Sequence, residues 1–292
     1  MSIGAPPDPF SPSGQVWCLP PPNPHAIRAT GAAAFRELLA ANMRHAGALR
    51  IDHVMGLTRL FWVPDGATAA DGAYVDYPLA LQLSVLAERS ASARCIVVGE
   101  DLGTVPDGLR ERLAAADVLS YRVLWFERDG AQFLPPERYP AKAVACVSTH
   151  DLPTIAGWWR GADIDEKRSL GLLDDAVAGT ARTERGVERT ALAQALAAAG
   201  ATHGRPVDAA ATPDATLVAA VHGFIGAAPS ALAVVQADDL AGATTALNLP
   251  ATDRARPNWR RRIDVDVDAL WTNEAGARTA KALADRATRD GG

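Results

Sequence analysis

Short apolar runs alternate along this chain with stretches in which apolar residues recur every three or four positions. That is the pattern of strands alternating with helices, and it predicts a parallel sheet with crossover helices. Residues 32–45 carry Phe35, Leu38, Leu39 and Met43 at helical spacing. They lead into the strand-like Ala48-Leu49-Arg50-Ile51-Asp52. A second helix over residues 79–88 feeds Cys95-Ile96-Val97-Val98-Gly99-Glu100, and a third over 107–116 precedes a strand over 119–126. A fourth strand over 143–148 runs into Thr149-His150-Asp151. A long helical region, Ala-rich over 190–199, separates it from a fifth candidate strand at 230–236.

The first 24 residues break this pattern. They hold eight of the 20 prolines, which lock φ and remove N–H donors, so the segment is expected to be a stiff loop without a regular helix or central strand. Phe10, Trp17 and Leu19 within it are unusual for a solvated linker. The remaining composition is that of a folded chain: 292 residues, 48% hydrophobic and 22% charged, enough for one large core or two modest ones. The net charge of −5 (29 basic, 34 acidic) gives no positive field to hold nucleic acid or an anionic membrane. No apolar run approaches the roughly 18 residues of a membrane span. The start, Met1-Ser2-Ile3-Gly4, lacks the features of a signal peptide, so the expected location is the cytoplasm. Cys18, Cys95 and Cys146 are odd in number and share no CxxC spacing, which reads as three buried thiols without a metal or redox role.

Three of the five candidate strands end in a carboxylate: Asp52, Glu100 and Asp151. In parallel α/β folds the ligand sits beyond the carboxyl ends of the strands, so these acids are expected to converge on one face. Two chemistries suit them. Asp52-His53 and His150-Asp151 contain ligand types for a divalent cation, as in metal-dependent phosphohydrolases, although adjacent residues on a strand face opposite ways. The other chemistry is retaining cleavage of a glycosidic bond, with one carboxylate attacking the anomeric carbon and a second, kept protonated, serving the leaving oxygen. Arg50 shares a strand face with Asp52 and can keep it ionised. Glu100 follows four apolar residues and a glycine, a setting that raises a carboxyl pKa. Asp151 would then stabilise positive charge, with His150 donating a hydrogen bond. The structural alternative gives Asp101-Leu102-Gly103 a turn and Thr149 or Asp151 a helix cap. Two other features have both readings: Arg260-Arg261-Arg262 as a nucleic-acid patch or as solvated and acid-paired arginines, and Trp158-Trp159 as a sugar platform or as helix packing.

These residues resemble a known family, the 4-α-glucanotransferases (amylomaltase or disproportionating enzyme) of glycoside hydrolase family 77. The likeness runs through Gly4-Ala5-Pro6-Pro7-Asp8-Pro9-Phe10, Gly14-Gln15-Val16-Trp17, Leu49-Arg50-Ile51-Asp52-His53-Val54-Met55-Gly56-Leu57 and Val98-Gly99-Glu100-Asp101-Leu102-Gly103-Thr104-Val105-Pro106. It continues through Ser120-Tyr121-Arg122-Val123-Leu124, Ser148-Thr149-His150-Asp151-Leu152-Pro153-Thr154, Asn248-Leu249-Pro250 and Arg256-Pro257-Asn258-Trp259-Arg260, with little from residues 163–214. The resemblance implies Asp52 as nucleophile, Glu100 as general acid and base, and Asp151 as transition-state stabiliser, supported by Arg50 and His150. It implies that residues 1–30 are a substrate-groove loop, with Asp8, Gln15 and Trp17 near bound sugars, and that 31–292 are the C-terminal portion of the catalytic barrel. Implied substrates are maltooligosaccharides or glucans derived from starch or glycogen, and no cofactor is needed.

The implied fold is an α/β, partial TIM (β/α)8 barrel holding strands four to eight with their crossover helices. Its first three strands have no counterpart, which predicts a truncated or split enzyme whose missing N-terminal portion is a candidate partner. Cys18 and Ala251 stand where the family usually has glycine, so either can meet a backbone that asks for positive φ. Three rival functions remain: an α-glucan hydrolase, a noncatalytic glucan-binding remnant and a metal-dependent phosphohydrolase.

Overall fold

The computed structural model describes residues 1–7, 13–250 and 252–289, with side chains up to residue 284. The chain divides into two units, Met1–Tyr121 and Arg122–Gly292.

The first unit opens with β1 (Ser2–Ala5) and β2 (Gln15–Val16), followed by α1 (Pro24–Ala29) and α2 (Ala33–Met43). Next come β3 (Ala48–Ile51), β4 (Arg59–Val63), β5 (Ala73–Asp76), α3 (Leu79–Ala93), β6 (Ile96–Gly99) and α4 (Leu109–Ala115). The proline-rich start therefore contains strands, contrary to expectation, and β1 lies inside an antiparallel sheet of order β2-β1-β4-β5. The prolines flank these strands and leave their N–H groups intact: Pro6 and Pro7 follow β1, and Pro20 to Pro22 follow β2. Gly4 makes the pairing possible, since a Cβ there would lie 2.1 Å from the Gln15 carbonyl oxygen. Pro24 occupies the first turn of α1, where its missing N–H is harmless, and Asn23 caps the N–H groups of His25 and Ala26.

The unit's core forms where the apolar faces of α2, α3 and α4 meet β6. Leu39, Met43, Val85, Leu86, Val97, Leu109 and Leu113 are all buried there, each contributing about 1.5–3 kcal/mol of apolar burial. Val54, Met55 and Leu57, from a short 3-10 turn after β3, join the same cluster. That cluster fixes the carboxyl ends of β3 and β6.

The boundary between the units falls within β7 (Leu119–Val123). The second unit continues with a hairpin of β8 (Arg128–Asp129) and β9 (Gln132–Phe133), then β10 (Ala143–Cys146). Helices α5 (Ile155–Arg160), α6 (Ala162–Ser169), α7 (Asp175–Ala198) and α8 (Ala215–Gly226) follow. The described chain ends with β11 (Leu232–Val234), α9 (Ala237–Leu240) and α10 (Glu274–Arg289). The Ala-rich stretch is the last part of α7. Trp158 and Trp159 are core residues: Trp158 stacks on Trp125 at 4.5 Å between ring centroids, and Trp159 donates from Nε1 to the Ala211 carbonyl. Arg261 pairs with Asp238.

The parallel strands have the order β11-β10-β7-β6-β3. Helix α3 links β3 to β6, α4 links β6 to β7, and α5 to α8 link β10 to β11, while the β8–β9 hairpin and a 3-10 turn join β7 to β10. The strands make an open, curled sheet that is a partial (β/α)8 barrel, as the resemblance implied. Among the described residues its edges are β3 and β11. Cys95 and Cys146 are buried thiols, but Cys18 is exposed, because it lies just past β2 on the rim of the antiparallel sheet. Its φ of 57° is left-handed, as its substitution for a glycine anticipated; Ala251, the other such position, lies outside the described residues. No described helix is long and apolar enough to cross a membrane.

Candidate active site

In the first unit β3 and β6 run parallel, with Ile51 paired to Gly99. Asp52 and Glu100 are therefore the next residues off two adjacent strands, and the Glu100 N–H still bonds the Ile51 carbonyl at 2.9 Å. Their environments differ. The Asp52 side chain is 78% exposed, and Arg50 donates to its Oδ1 at 2.8 Å. The Arg50 guanidinium is itself seated 5.0 Å above the Tyr121 ring, a cation–π contact that limits its freedom.

Glu100 is buried. Its Oε2 accepts from the His53 N–H and its Oε1 from the Leu102 N–H, both at 2.8 Å. Burial pushes its pKa above the ordinary glutamate value and is the strongest influence on it; the two N–H groups and Arg50 pull downward, while the charge of Asp52 adds to the rise. The carboxyl is thus held in a fixed pose while its proton is favoured. Adjacent carboxyl groups in such unlike settings are the arrangement that acid and nucleophile require.

The turn that supplies the His53 N–H explains the pose. His53 has φ 47° and ψ 59°, and this left-handed residue swings the chain off β3 into the 3-10 turn. As a result the Val54 N–H bonds the Glu100 carbonyl at 2.9 Å. Gly99 lets Val54 sit this close, because a Cβ there would lie 3.0–3.1 Å from three Val54 carbons. The His53 imidazole meets the edge of Trp17 at 5.2 Å and 80°. Trp17 donates from Nε1 to Gln15 Oε1 at 2.9 Å. Gln15 and Trp17 thus lie beside the residue that follows Asp52; Asp8 lies outside the described residues.

Asp101 is a residue the sequence reading did not single out. Completely buried, it accepts from the Tyr121 N–H (2.9 Å), the Ser120 hydroxyl (2.5 Å) and Arg110 Nε (2.8 Å). Arg110 also donates to the Asp101 carbonyl. One carboxylate so ties the end of β6 to β7 and α4, directly beside the acid.

In the second unit Asp151 and His150 follow the carboxyl end of β10. His150 Nε2 lies 3.2 Å from Asp151 Oδ2, and the imidazole faces Trp259 at 5.1 Å. Asn248 donates to Asp151 Oδ1 at 2.6 Å, and its own N–H bonds the His150 carbonyl. Asp151 caps no helix: Thr154 caps α5. Asn248 and Trp259 were visible as motif residues, but nothing in their spacing joined them to the acid. Among the described residues no three His, Cys, Asp or Glu gather as a metal-binding group.

Residues 1–267 match the family model described as 4-alpha-glucanotransferase, glycoside hydrolase family 77. The chain belongs to this family. Among 4-alpha-glucanotransferases, the protein of Haemophilus influenzae is 39% identical over 276 residues, covering 94% of this chain and 40% of that protein. That of Mycobacterium bovis is 37% identical over 265 residues, covering 89% of this chain and 36% of that protein. The amylomaltase structure from Corynebacterium glutamicum superposes with a TM-score of 0.89 at 33% identity, over 97% of this chain and 42% of that one. The Streptococcus agalactiae amylomaltase, solved in complex with acarbose, shares the fold at a TM-score of 0.71 and 18% identity. This 4-alpha-glucanotransferase family chain thus spans 36–50% of the length of these relatives.

Proposed function

We propose that the chain carries the reacting carboxyl groups of a 4-α-glucanotransferase that moves α-1,4-glucan segments by retaining double displacement. Glu100 gives its proton to the glycosidic oxygen as Asp52 attacks the anomeric carbon; the leaving sugar departs and a glycosyl ester forms on Asp52. Glu100, now ionised, takes the proton of an acceptor sugar's 4-hydroxyl. That oxygen attacks the same carbon and frees Asp52. Asp151 stabilises the positive charge that develops on the sugar, with Asn248 and His150 fixing its orientation. Arg50 aligns Asp52. Residues 1–30 serve the substrate groove, with Asp8, Gln15 and Trp17 as sugar-binding residues, and 31–292 are the C-terminal portion of the barrel; the barrel strands that the described residues lack come from the rest of the enzyme. The cytoplasm suits this chemistry and the free thiols Cys95 and Cys146.

One observation carries the reading: a buried, proton-favouring Glu100 and an exposed, arginine-held Asp52 stand on paired strand ends. Incubation with maltotriose tests it. Glucose together with longer oligosaccharides, lost in both Asp52→Asn and Glu100→Gln, is the expected result. Glucose and maltose without longer products indicate a hydrolase, and binding without turnover indicates a noncatalytic glucan binder; either outcome overturns the reading.

A further inference from the structure

His53 is the next residue after Asp52, yet its backbone and its ring make contacts that no strand continuation would produce. Its left-handed backbone is uncommon for non-glycine residues, histidine being among the few, with asparagine and aspartate, that adopt it more readily, and here the surroundings hold it. That conformation turns two successive N–H groups onto one residue: His53 to Glu100 Oε2 and Val54 to the Glu100 carbonyl. Its imidazole forms a T-shaped pair with the Trp17 ring. Trp17 is tied to the antiparallel sheet by its N–H to the Ile3 carbonyl at 2.8 Å and by its indole to Gln15.

We propose that His53 is a positioning residue that joins the wall of the sugar groove to the general acid, its backbone fixing the Glu100 carboxyl and its imidazole fixing Trp17. The proposal rests on reading Glu100 as the acid and Trp17 as a groove residue. The imidazole suits this task as a neutral, desolvated ring, since burial lowers its affinity for a proton. The two functions belong to separable parts of one residue. A side chain compatible with left-handed backbone but lacking the ring keeps the acid's bond and loses the hold on Trp17. A β-branched side chain opposes the left-handed backbone and disturbs both.

The test uses His53→Gly and His53→Asn for the first case, and His53→Val with His53→Ala as the milder second. Two readouts serve: titration of the Glu100 carboxyl by NMR of 13C-carboxyl-labelled glutamate, and maltotriose affinity by calorimetry. In His53→Gly and His53→Asn, Glu100 is expected to titrate as in the parent, while maltotriose binds about 3- to 10-fold more weakly, the worth of an edge-to-face ring pair. In His53→Val and His53→Ala, Glu100 titrates higher than in the parent, because an N–H that stabilises the ionised carboxyl is displaced. Identical Glu100 titrations across all four variants overturn the proposal, as does unchanged maltotriose affinity in His53→Gly. Failure of the catalytic reading is separately visible: Glu100→Gln would then still disproportionate maltotriose.

Discussion

Gly99 ends β6, and the residue after it is the buried carboxyl. Exchange for alanine adds one methyl group, 3.0 Å from Val54 Cγ2 and 3.1 Å from its Cβ and Cγ1. Val54 is fully buried, and because its Cβ is among the crowded atoms, rotation about χ1 cannot clear the overlap. The backbone has to yield. Overpacking of this kind costs about 1–3 kcal/mol. Since the Val54 N–H bonds the Glu100 carbonyl, the shift passes into the turn that holds Glu100 Oε2. Gly99→Ala is therefore expected to lose about 2 kcal/mol in urea unfolding. Amide exchange at His53 and Val54 should accelerate about 30-fold, at 1.4 kcal/mol per decade. Adding Val54→Ala removes two of the three crowded carbons, so the double variant should be more stable than the sum of the single losses by about 1 kcal/mol. Parent-like stability of Gly99→Ala, or strict additivity in the double variant, would refute the reasoning.

Other consequences are checked more simply. Asp101→Ala removes the buried carboxylate that accepts from Arg110 Nε, the Ser120 hydroxyl and the Tyr121 N–H, and should lower stability in urea by about 3 kcal/mol; a loss under 1 kcal/mol contradicts the assigned network. Cys18→Gly relieves a left-handed backbone and should raise stability by about 0.5–1 kcal/mol, the strain relieved exceeding the entropy that glycine adds to the unfolded chain; a lower melting temperature speaks against it. His53 titrates below its ordinary value when folded, so the unfolded chain takes up its proton first; the stability this represents is complete above pH 6.5 and is lost as pH falls from there through the folded pKa. His53→Gln should flatten that dependence in urea titrations between pH 7 and 5.

The parallel strands were legible because most are short, largely apolar runs alternating with helical stretches, although a hairpin rather than a helix follows β7, and the catalytic candidates because three of those runs stop at an acid. β1 and β2 were not legible, since prolines dominate the surrounding composition while the strands occupy the gaps between them. Asp101 was hidden for a different reason: in Glu100-Asp101-Leu102-Gly103 it reads as a turn residue, and its partners Arg110, Ser120 and Tyr121 are joined to it only by the fold. The bond from Asn248 to Asp151 spans 97 positions, a separation over which local pattern carries no information. Cys18 was misjudged as buried because thiols usually are; its place just past a two-residue edge strand decides otherwise.

The titration of one carboxyl reaches the centre of the account. With 13C-labelled glutamate, assigned through Glu100→Gln, the Glu100 signal should move through its transition above the ordinary glutamate value of about 4.3, and lower again once Asp52→Asn removes the neighbouring charge. A Glu100 that titrates at or below that ordinary value, or one indifferent to Asp52, contradicts the assignment of acid and nucleophile to these two strand ends.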